Sequence, residues 1–79
     1  SAMSLKIAGD ISAGFSIAYT CPENSELVIY DVLGRAVFQR NISGVGKISW
    51  SDSKTPNGVY FAMLKYDGKS VMRKIVVVK

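Results

Sequence analysis

The feature that most constrains this chain is its punctuation. Short apolar or alternating runs occupy residues 5–8, 15–21, 26–32, 35–42, 47–51, 59–66 and 70–78, separated by segments rich in Gly, Pro, Asn, Asp and Ser. Runs of this kind at close, regular spacing are the signature of strands in a sandwich or barrel. No stretch carries the 3.6-residue period of a helix over a useful length. The expected fold is therefore all-β: an antiparallel β-sandwich of about seven strands.

Local chemistry supports that reading. Phe15, Ile17 and Tyr19 alternate with Ser16, Ala18 and Thr20, giving one large apolar face and one small one. Leu27, Val28, Ile29 and Tyr30 are strong strand formers. Asp31 suits the first position of a tight turn, because its carboxylate accepts bonds from nearby N–H groups, and Gly34 suits the fourth. Pro56 presets φ and Asn57-Gly58 tolerates the left-handed region, so a turn is expected before residue 59. Asp67-Gly68 is a two-residue hairpin signal. Residues 22–25 are expected to break a strand, and residues 43–46, Ser-Gly-Val-Gly, to form a flexible link.

The chain has 79 residues, enough for one domain with a thin core. Ser1-Ala2-Met3 reads as a cleavage scar followed by a cloned start, which leaves 4–79 as a single C-terminal β-sandwich domain. No apolar run approaches the ~20 residues of a transmembrane helix. Ten Lys or Arg against six Asp or Glu give a net charge of +4, but the bases are scattered. A nucleic-acid partner is not expected without a clustered basic face.

Catalytic chemistry is hard to find. Histidine is absent, which removes the commonest general base and metal ligand. The one cysteine, Cys21, reads as a small buried hydrophobe rather than an activated thiol. The acids, Asp10, Glu23, Glu26, Asp31, Asp52 and Asp67, offer no Asp-x-Asp loop for calcium. No enzyme activity, metal or cofactor is expected. Tyr19, Tyr30, Trp50, Tyr60 and Tyr66 leave open a carbohydrate-binding or adhesive module, which requires an exposed aromatic row on one face.

Three segments carry a resemblance. They are Tyr30-Asp31-Val32-Leu33-Gly34-Arg35, Pro56-Asn57-Gly58-Val59-Tyr60-Phe61, and the ending Met72-Arg73-Lys74-Ile75-Val76-Val77-Val78-Lys79. In order and spacing they resemble the C-terminal sorting domains of the type IX secretion system of Bacteroidetes and relatives. Residues 17–25 are similar to that family's opening, with Cys21 where a leucine usually stands. The resemblance implies an Ig-like sandwich that follows an N-terminal cargo domain. It implies recognition by an outer-membrane secretion machine, removal by a sorting peptidase, and a destination outside the cell or on its surface, by way of the periplasm and outer membrane. The first two segments also resemble the Ig-like domain of flagellar hook-capping proteins, which stands as an alternative.

Recognition is expected at two places: Gly58, Val59 and Tyr60, which shape a strand, and Lys74, Ile75, Val76, Val77, Val78 and Lys79. Asp31, Gly34, Pro56, Asn57, Asp67 and Gly68 are expected to act structurally, in turns. Ile75 to Val78 are apolar without alternation, so this strand is expected to be covered on both faces or to offer an edge for strand addition.

Overall fold

One strand organises the molecule. The computed structural model describes residues 3–10, 14–50 and 55–78. Its five strands are β1 (Ser4–Asp10), β2 (Gly14–Asp31), β3 (Ala36–Trp50), β4 (Gly58–Tyr66) and β5 (Lys69–Val77). All pairings are antiparallel. β2 pairs with β3 along nearly its whole length, and its other side is shared by β1 over the first half and β4 over the second. β5 pairs with β4 and curls back towards β1.

The expectation of a sandwich of about seven strands is corrected to five strands among the described residues, in a single curled sheet. Residues 15–21 and 26–32 are not separate strands. β2 runs through the expected break, with a bulge between Cys21 and Ser25 that places two extra residues in β2 against β3. Asn24 adopts φ 62° there, and the Ser25 hydroxyl, buried at 1% exposure, donates to the Pro22 carbonyl at 2.7 Å. A side chain thus satisfies a carbonyl where the chain folds out of register, so the ladder resumes instead of ending. Residues 43–46 likewise form no link: Cys21, Thr20 and Tyr19 stand opposite Gly44, Val45 and Gly46 inside β3.

Gly46 is required by a close approach. A Cβ at that position would lie 2.5 Å from the Tyr19 hydroxyl oxygen, because the Tyr19 ring lies across the glycine. Glycine inside a strand often marks a site of close approach.

The bulge lets the β2–β3 ribbon bend back on itself. Both ends of β3, Val37-Phe38 and Ser49-Trp50, line one hollow of about 400 Å³ beside Tyr60. The Trp50 and Tyr60 rings meet edge to face at 5.1 Å between centroids. The concave side of the curl holds one apolar core, with Leu5, Ile17, Leu27, Ile29, Ala62, Leu64, Ile75 and Val77 essentially sealed from water. Burying each large aliphatic contributes about 1.5–3 kcal/mol. Cys21 is part of this core, with its thiol 3.7 Å from the Gly44 carbonyl.

Candidate functional site

The turn between β2 and β3 is held by a single carboxylate. Asp31 Oδ1 accepts from the backbone N–H of Leu33 at 3.0 Å and of Arg35 at 2.9 Å, and Oδ2 accepts from Arg35 Nε at 2.8 Å. The backbone closes as well, with Gly34 N–H donating to the Asp31 carbonyl and Asp31 N–H to the Arg35 carbonyl. The Arg35 backbone N–H, first, and then its guanidinium and the Leu33 N–H hold the Asp31 carboxyl below its ordinary value.

A carboxylate depressed in this way stabilises the fold above its unfolded-state pKa, and that contribution is lost as pH falls through the folded-state value. We therefore expect an Asp31→Asn variant to lose less stability than the parent on acidification through and below the ordinary carboxylate range. Parallel acid titrations of the two unfolding curves check this, and identical pH slopes would contradict it.

The two segments expected to carry recognition are one piece of ladder. Gly58, Val59 and Tyr60 stand opposite Val77, Val76 and Ile75. The neighbouring pair, Asp31 against Tyr60, ties the same ladder to the turn. Tyr60 points inward at 6% exposure, and its hydroxyl donates to the Pro56 carbonyl at 2.8 Å, which holds the loop before β4 against the sheet. At the far end of the β4–β5 hairpin, Asp67 at φ 50° and Gly68 at φ 76° make the connection, with Tyr66 facing Lys69.

The last strand divides its side chains between two environments. Ile75 and Val77 are each 1% exposed, whereas Val76 is 48% exposed and Val78, just past the strand, 55%. Lys74 is exposed on the same outer side as Val76, opposite Phe61. The strand is not covered on both faces, since one is sealed in the core and the other faces water; among the described residues it does stand at an edge of the sheet, paired with β4 alone. Lys79 lies outside the described residues, as do Asp52 and the expected scar residues Ser1 and Ala2.

The aromatic residues do not form one row. Trp50 and Tyr60 pack together on the core side, and Tyr19 lies over Gly46 on that side. Tyr30 sits on the outer face, where its hydroxyl accepts from Lys65 Nζ at 2.6 Å. That bond, more than any other influence, raises the Lys65 pKa. Beside this pair, Gln39 donates to Glu26, so polar groups cap Val28, which is 3% exposed on the outer face. No cluster of three or more potential metal-ligating side chains occurs among the described residues.

Curled sheet, capped turn and split last strand define a small all-β domain whose distinctive features lie on its surface. The chain belongs to the secretion system C-terminal sorting domain family, which matches residues 11–78. This is the type IX sorting family, a transport signal rather than a catalyst, and membership implies export through the outer membrane to the cell surface or beyond. It also implies a cargo region on the N-terminal side and a secretion machinery that reads the signal. No curated protein and no solved structure matches the chain significantly.

Sequence reasoning did not find the exposed turn residues Val32 and Leu33, at 70% and 75% exposure. The available signal was two large aliphatics in a turn already specified by Asp31 and Gly34.

Proposed function

We propose that this chain is the sorting module of a larger secreted protein, and that the outward side chains of its last strand are what the outer-membrane secretion machinery reads. A sorting peptidase would then separate it from the cargo. The single observation that carries the reading is the split of β5. Ile75 and Val77 bind the strand to the domain, leaving Lys74, Val76 and Val78 free for a partner. The Gly58-Val59-Tyr60 segment acts by holding this strand in register. A carbohydrate-binding reading is weakened by the distribution of the rings over both faces.

The test is a secreted reporter carrying the domain at its C-terminus, in a bacterium with a type IX system. A triple variant, Lys74→Glu, Val76→Ser and Val78→Ser, is expected to lower export by about tenfold or more, the loss expected for removing a binding hot spot. The melting temperature of the domain should scarcely change, since all three side chains face water. Undiminished export of this variant would remove the reading.

A further inference from the structure

Large apolar side chains scattered singly over a surface carry no message, but a contiguous group does. Five of the exposed large hydrophobics, Val32, Leu33, Val37, Val76 and Val78, gather at the end of the sheet where β2 finishes and β4 begins. Val32, Leu33, Val37 and Val59 line one hollow of about 280 Å³ against the 56–58 loop. Val76 stands opposite Val59 in the ladder and continues that surface onto β5.

Nothing in the fold requires aliphatics at the tip. The turn is closed by the Asp31 carboxylate and two backbone bonds, none of which uses the side chains of Val32 or Leu33. Turns of this kind accept most residues at their central positions, and polar ones are the norm. The same bonds hold the two side chains on a preformed knuckle, so little ordering cost remains for binding.

Charge selects the occupant. Asp31 and Arg35 pair at the turn and offset each other's charge, while Lys74 flanks Val76 on the outer face. Lys74 makes the β5 side of the rim basic, in a chain of net charge +4. We propose that the turn knuckle and the outer face of β5 form one docking surface for an apolar segment, flanked by carboxylates, of the secretion machinery. This rests on the sorting reading above and adds the turn, some forty residues from the tail in sequence, to the recognised surface.

The experiment uses the same reporter. Export of the parent fusion, and its loss in the β5 triple variant, test the sorting reading. The turn is tested separately by a Val32→Ser, Leu33→Ser double variant, expected to fall by about tenfold in export with an unchanged melting temperature. Leu33→Asp is expected to export less than Leu33→Lys, because the partner's rim is acidic. Normal export of the double variant, with the β5 variant defective, overturns the docking surface while leaving the sorting reading intact. Equal export by Leu33→Asp and Leu33→Lys overturns the acidic partner. Two further results would also overturn it. One is a parent dimer by sedimentation that the double variant lacks, which assigns the surface to a second copy. The other is parent binding to phosphatidylglycerol vesicles that the double variant loses, which assigns it to lipid.

Discussion

An Ile75→Ala variant should lose about 2–5 kcal/mol of stability, the usual cost of truncating a sealed aliphatic and leaving a cavity. For a domain of this size the whole stability is about 4–12 kcal/mol, so the variant should melt at least about 10 °C lower. Its neighbour gives the control. Val76→Ala removes a side chain that is 48% exposed, and a change within about 0.5 kcal/mol is expected. Urea or thermal unfolding of the two variants decides the matter. Equal destabilisation would show that the last strand does not divide into a buried and an exposed face. The contrast also matters for export, because Ile75→Ala should impair it by unfolding the signal, whereas changes at Val76 act on a folded one.

The second large effect is expected at Gly58. Its φ of 152° lies in a region that side chains rarely adopt, yet a Cβ there would meet only Tyr60 Cε2, at 4.0 Å. Gly58→Ala should therefore cost about 1–3 kcal/mol of backbone strain rather than of steric clash. The damage should be local. Gly58 faces Val77, so the variant's amide exchange should rise at the start of β4 and the end of β5 before it rises in β2. A variant as stable as the parent would mean that the backbone relaxes to another conformation without losing the ladder.

The turns were legible because their chemistry is local: Asp31, Gly34 and the Asp67-Gly68 pair act on their immediate neighbours, and no distant contact is needed to read them. The number of strands was not. Pro22, Asn24, Gly44 and Gly46 carry the composition of loops, but the structure absorbs them into β2 and β3. The Ser25 hydroxyl closes the bulge, and Gly46 makes room for the Tyr19 ring. Both are tertiary arrangements that override local propensity. The candidate site divides in the same way. Residues 75–78 read as a strand, but four consecutive apolar residues hide which of them face inward. The approach of Val32 and Leu33 to Val59 depends on the register of β2 against β4, which no single segment encodes.

The place of β5 in the sheet also has a mechanical consequence. Among the described residues it is hydrogen-bonded only to β4, its Val77 end lies beside Gly58, and it runs back from there to the Asp67-Gly68 connection. A pull applied at Val78 away from the sheet therefore loads one pair of the ladder at a time, beginning with Val77 against Gly58. The β2–β3 ribbon pulled along its axis must instead yield many pairs at once. Tension applied at Val78 away from the sheet meets the β4–β5 ladder in its unzipping direction, so a machine that grips the chain there would peel β5 from β4 pair by pair while the bent ribbon stays whole.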